Sequence, residues 1–153
     1  MLKDINMYIN RSLEIYPDYF SALQMYSGVV GSNYLFDKDL DKALKGFYTI
    51  LSRRSTITYV DQFLDYLDTQ QNIDKVKLKD FYIKVGYEVY YKDKKIYANA
   101  SKYIGKALKL NSTDPKANYA MYLILLANGD SAKAEQYRLN AMTFDPNVAA
   151  YFK

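Results

Sequence analysis

Three observations predict an all-α chain of about eight or nine helices. Apolar residues recur at three- and four-residue steps along most of the chain, the period of an amphipathic helix. Glycine (6) and proline (3) are few, so little interrupts those helices. One apolar pattern is also written twice: Ala100, Tyr103, Ala107 and Leu110 return thirty-four residues later as Ala134, Tyr137, Ala141 and Phe144. Self-similarity at a fixed interval marks a repeat architecture, in which no unit buries its apolar face alone.

Composition bounds the chemistry. A chain of 153 residues, 50% hydrophobic and 25% charged, suits one domain with a sizeable core. The net charge of +4 is spread over interleaved signs, as in Asp37-Lys38-Asp39 and Lys92-Asp93-Lys94-Lys95. That describes a solvated surface rather than a stripe following phosphates, and no nucleic acid is expected as partner. The chain has no Cys and no His. Thiolate chemistry, disulfides, the commonest general base and the commonest metal ligand are therefore missing, and no catalytic residue, metal or cofactor is expected. No apolar run approaches the roughly 18 residues of a membrane span, and no signal peptide is visible. The compartment stays open, since a Cys-free helical chain works on either side of a membrane. The aromatic content, 18 Tyr and 7 Phe without Trp, reads mainly as core at helical spacing.

The elements follow in order. Residues 2–16 read as a helix with Ile5, Tyr8, Ser12, Leu13 and Ile15 on its apolar side, stopped by Pro17. Residues 18–36 form a long helix with a stripe of Leu23, Tyr26, Val30 and Tyr34; Gly28 and Gly31 in it point to close helix–helix approach. After a turn at Asp37–Leu40, Asp39 caps helix 40–53, whose core face is Leu40, Ala43, Leu44, Phe47 and Leu51. Residues 56–69 carry Tyr59, Phe63, Tyr66 and Leu67 at helical spacing, and Gln70–Asp74 read as a loop. Helix 77–92 holds Leu78, Phe81, Tyr82, Val85, Gly86 and Val89, and helix 95–110 is its partner. Asp114 caps helix 115–127 with Pro115 in its first turn. Gly129 supplies a left-handed turn before helix 131–144, and 147–152 begin another helix after Pro146.

The small-aromatic-small-apolar helix, with Gly129 and Pro146 as punctuation, resembles the second helix of a tetratricopeptide (TPR) repeat. Gly31, Tyr34, Ala43 and Phe47 similarly match the TPR glycine, aromatic, alanine and aromatic in order. The resemblance implies a right-handed α-solenoid of antiparallel helix pairs, as a single TPR-like domain over 1–153. Within it, 1–17 would be the second helix of a truncated repeat. Repeats would follow at 18–54, 77–112 and 113–146, with 147–153 starting a further helix. The stretch 55–76 is either a degenerate repeat or an insertion. The registers set by Pro17 and Ala43 differ by four residues, so the helix over 18–36 is expected to be one turn longer than standard. From Gly86 to Ala100 the spacing is about two residues too long. Both ends fall inside a repeat, which suggests a piece of a longer protein with an added Met1; the alternative is that the first helix is a natural cap.

The resemblance also implies a function, as a scaffold binding a peptide or protein segment in a concave groove lined by first helices. Carried over residue by residue, the groove candidates are Gln24, Gly28 and Ser32, then Ile83, Tyr87 and Tyr90, then Lys116, Tyr119, Leu123 and Leu126. Such a groove would be aromatic and apolar with a basic edge, and no lysine, asparagine and arginine clamp for a terminal carboxylate is evident. Leu123 and Leu126 could equally pack on a following repeat. Two rival readings remain. One is the tail of a larger enzyme or secretion factor, such as a membrane glycosyltransferase; the other is self-association through repeat ends. Asp37-x-Asp39-x-Asp41 lacks the glycine and distal glutamate of a calcium loop, and Gly28-Val-Val-Gly31 is too short and too helical for a phosphate cradle. Tyr90-Tyr91 beside Lys92, Lys94 and Lys95 offers rings to nucleic-acid bases, but a core pair before a solvated turn explains it better.

Overall fold

The computed structural model describes residues 2–153, and Met1 lies outside them. The chain is all-helical, with 81% helix and no strand among the described residues. The α-helices are α1 (Leu2–Ile15), α2 (Phe20–Asp37), α3 (Leu40–Arg53), α4 (Thr58–Thr69), α5 (Lys75–Lys84), α6 (Tyr97–Leu110), α7 (Pro115–Ala127) and α8 (Ser131–Phe144). A π-helical segment, Val85–Lys94, continues α5 without a break, and a short 3-10 helix, Val148–Phe152, follows α8. Among the described residues no helix is long and apolar enough to cross a membrane.

The sequence reads as one domain over 1–153, yet packing divides it into two compact units, one ending at Asp74 and the other spanning Lys75–Lys153. The division falls near the end of the 55–76 stretch, where the repeat pattern lapses.

In the first unit α1 packs on α2, and α2 on both α3 and α4. The buried residues of α1 are Ile9 and Leu13, whereas Tyr8 is 47% exposed and Ile15 63%. The expected stripe is therefore corrected by part of a turn: Ile9, four before Leu13, faces α2, and the TPR-like register points Tyr8 and Ile15 outward. The centre of the unit is aromatic. Phe63 of α4 meets Tyr34 edge-on at 6.0 Å, Phe47 at 5.4 Å, Tyr59 at 6.0 Å and Tyr66 at 5.5 Å. Gly31 makes room for this cluster, since a Cβ there would stand 2.8 Å from Phe63 Cε2. Gly28 serves no such approach, because a Cβ there would meet nothing within 4 Å. Asp39 caps α3 by accepting from the Lys42 amide at 3.0 Å, and Asp37 accepts from the Asp39 amide at 2.9 Å. These carboxylates hold a turn. The backbone hydrogen bond from Asp39 is the main reason the Asp37 carboxyl sits below its usual range, with Lys42 adding to it.

The second unit is built around α6. Tyr103 is buried between Tyr82 at 6.1 Å and Tyr90, which stacks on it at 5.1 Å. The π winding resolves the long spacing to Ala100. A turn closed by i→i+5 hydrogen bonds holds about one residue more than an α turn. Ten π residues therefore take up about two extra residues without turning the helix away from its partner. Ala100 is buried and Ala98 exposed, so it is Ala100 that faces the glycine. A Cβ at Gly86 would lie 3.2 Å from the Ala100 carbonyl oxygen and 2.8 Å from Ile104 Cδ1. The segment closes on Lys95 in the left-handed region (φ 55°), as α2 closes on Lys38 (φ 57°); Gly129 does the same before α8 (φ 85°). Asp114 caps α7 through the Ala117 amide at 2.9 Å and also accepts from the Lys79 ammonium, tying α5 to α7. Burial works against the Lys79 charge, but Asp114 and Asp80 outweigh it and raise its pKa. In α8, Ala134 and Ala141 are buried while Phe144, the counterpart of half-buried Leu110, is 55% exposed.

Candidate functional site

The seven groove candidates of the second unit do not form one surface. In the first unit Gln24 and Ser32 are exposed and Gly28 is half-buried, with no aromatic or basic group from the candidate set beside them. In the second unit the structure separates core from surface. Ile83 and Tyr90 are corrected to core, at 8% and 1% exposure. Ile83 lies on α5, which is packed by α6 and also by α7, so three consecutive residues, Phe81 to Ile83, are covered. The π winding turns Tyr90 inward onto Tyr103. Leu123 is half-buried, and Leu126 is 45% exposed near the end of α7.

The structure gathers Tyr87, Lys116 and Tyr119. Tyr87 and Tyr91, four residues apart on the π segment, stack at 5.5 Å with their planes 20° apart. Tyr91 meets Tyr97 of α6 at 6.0 Å. Across from them Tyr119 and Tyr122 of α7 pack at 5.3 Å. The slot between the two tyrosine pairs is occupied by the chain itself. Phe152 meets Tyr87 edge-on at 4.7 Å and Tyr119 at 5.1 Å, and the Tyr87 hydroxyl donates to the Phe152 carbonyl at 3.2 Å. Lys116 places its ammonium 4.1 Å from the centre of the Tyr151 ring, and Lys92 lies 5.6 Å from that of Tyr87. Buried Val148 anchors the start of this segment. Beside it lies an open cleft bordered by Glu88, Lys92 and Asp93 on one side and Tyr151 and Lys153 on the other.

The electrostatics keep the tyrosines neutral. Burial, then Tyr91, Glu88 and Tyr119, pushes the Tyr87 hydroxyl above its ordinary pKa. Burial and Tyr97 do the same for Tyr91. Both rings are therefore hydrogen-bond donors at neutral pH, with faces that favour a nearby cation. The site offers stacking, edge-to-face contact and single hydrogen bonds. Among the described residues no group of three or more Asp or Glu is placed to hold a metal ion.

Sequence reasoning missed the occupant. Tyr151-Phe152 was assigned to the start of another helix, and the available signal was the pair of adjacent aromatics five and six residues after Pro146. It also took Tyr91 as part of a core pair with Tyr90 and left Tyr122 out of the candidates, although their helical spacing from Tyr87 and Tyr119 placed them beside those two residues. A comparison with models of known protein families gave no match, and a comparison with curated proteins gave none.

Proposed function

We propose that the chain is a TPR-like, right-handed solenoid of antiparallel helix pairs that acts as an interaction scaffold, holding a peptide or protein segment on its tyrosine-lined face. The observation that carries this reading is the seating of Tyr151-Phe152 against Tyr87, Tyr119 and Lys116. A short 3-10 segment is held there by ring contacts, a cation over a ring and one bond to its backbone. These are the kinds of contact that dominate binding hot spots. The close approach of Gly86 to Ala100 lends support to the repeat architecture, because the TPR-like pattern pairs those two positions.

The test is selection of peptides from a random displayed library against the whole chain, followed by anisotropy titration of the enriched sequences. Tyr87→Ala and Tyr119→Ala are each expected to weaken binding about tenfold or more while leaving helicity unchanged by circular dichroism. Enriched peptides that bind both variants as well as the parent would overturn the assignment. So would unfolding of both variants, which would make these rings structural.

A further inference from the structure

We propose that the tyrosine slot recognises a protein segment carrying two adjacent aromatic residues, and that Tyr151-Phe152 is its resident intramolecular occupant. This rests on the interaction reading above and names the chemistry of the partner and the regulation of the site.

Each contact reads a different feature of the occupant. The Tyr87 hydroxyl binds a main-chain carbonyl, at 3.2 Å, so it fixes position without asking for a side chain. The ring of Phe152 is held by two partners, edge-on to Tyr87 at 87° and tilted on Tyr119 at 38°, geometries that match an aromatic quadrupole better than an aliphatic group. The preceding ring lies under the Lys116 ammonium and remains 61% exposed. The second aromatic is thus selected by a cation at the rim, where exchange with solvent or with another chain is cheap.

The occupant is also built for release. Val148 is fully buried and Phe152 only half, with Ala149 half-buried and Ala150 exposed between them. Val148 is therefore the firmer anchor, and Tyr151 and Phe152 can leave the slot while Val148 stays seated. A tether this short holds the pair at an effective concentration of about millimolar, so an outside segment with the same aromatic pair competes against a standing occupant. The apparent affinity for that partner is lowered by the fraction of time the slot is filled.

The test uses the full chain and, as probe, a labelled peptide with the chain's own sequence from Asn147 to Lys153, followed by anisotropy. Phe152→Ala vacates the slot and is expected to bind the peptide about tenfold more tightly than the parent. A peptide with both aromatics replaced by alanine is expected not to bind. In the vacated chain, Tyr87→Phe removes only the hydroxyl and is expected to weaken binding about fivefold. If Phe152→Ala lowers helicity, Phe152→Leu keeps apolar volume without the ring and serves with the same outcomes. The proposal is overturned if the vacated, folded chain binds no better than the parent, or if the alanine peptide binds equally. Library-selected peptides that lack an aromatic pair yet depend on Tyr119 would overturn it and leave the interaction reading standing. No peptide binding to either chain would remove both.

Discussion

Helix α2 in the first unit and the helix Lys75–Lys94 in the second each carry residues in excess of the TPR-like spacing expected from the sequence, and they dispose of them differently. In α2 the surplus is four residues, which turn an α-helix by roughly one turn and 40°. The helix simply grows to 18 residues, and Gly31 finds its close neighbour on α4. In the second helix the surplus is about two residues. In α form these would turn the following face by roughly 200° and point it away from its partner. The backbone winds as a π-helix instead, and Gly86 keeps its approach to Ala100. A whole turn can be added to a packed helix; a half turn has to be hidden in its winding. The second solution also leaves Tyr87 and Tyr91 stacked on one face, where they line the slot.

Four changes test that contrast, from the largest effect down. Deleting Ser32 and Asn33 from α2 swings Tyr34 out of its buried seat and should cost about 4 kcal/mol or more in chemical denaturation. The same deletion at Lys92 and Asp93 removes the surplus and should cost only about 1 kcal/mol, with Gly86 and Ala100 still in contact. Equal losses at the two places would show that the π winding does not absorb the extra residues. Next, Gly86→Ala drives a methyl toward Ile104 and the Ala100 carbonyl and should lose about 2 kcal/mol, whereas Gly28→Ala meets open space and should gain about 0.5–1 kcal/mol by the same assay.

The third test is alkaline pH. Tyr34 and Tyr59 in the first unit, and Tyr87, Tyr91 and Lys79 in the second, all have folded pKa values above their ordinary ones. A raised value means the folded chain holds the proton more tightly. That stability is complete below the unfolded pKa of about 10 and is lost as pH rises through the folded values. Melting temperature should be nearly flat around pH 8 and fall steeply by about pH 11; a flat profile throughout would contradict the tyrosine burial. The smallest effect concerns the two lysines in left-handed turns. Lys38→Gly and Lys95→Gly should each raise stability by about 0.5–1 kcal/mol, since glycine takes that conformation without strain.

Much of the fold was legible in the sequence because its helices carry strong three-and-four spacing and clear stops. The span of α3 over 40–53, the caps at Asp39 and Asp114 and the left-handed Gly129 follow from local chemistry and occur where expected. Faces were harder to read where tertiary neighbours decide them. Ile9 was passed over in α1 because apolar Tyr8 and Ile15 mark an adjacent face, part of a turn away, that proves exposed. The π segment was unreadable in advance, since local spacing shows a surplus but not how the backbone absorbs it. That winding is why Tyr90 proved to be core while Tyr87, three residues earlier, lines the slot. Of the site, Tyr87, Tyr119 and Lys116 were named from the repeat pattern, and Tyr91 and Tyr122 were not. Nor was their occupant, because the adjacent aromatics after Pro146 do not say which ring sixty-five positions earlier they meet.

The seat of Phe152 has an optical consequence. The chain contains 18 tyrosines and no tryptophan, so its near-ultraviolet emission is tyrosine emission throughout. Phe152→Trp would place a single indole among Tyr87, Tyr119 and their stacked neighbours, close enough to receive their excitation. Tryptophan emission excited through tyrosine would then report the seated state, and its loss with a red shift would report departure of the segment into water. The molecule supplies the donors, the dark background and the acceptor position for watching its own slot open.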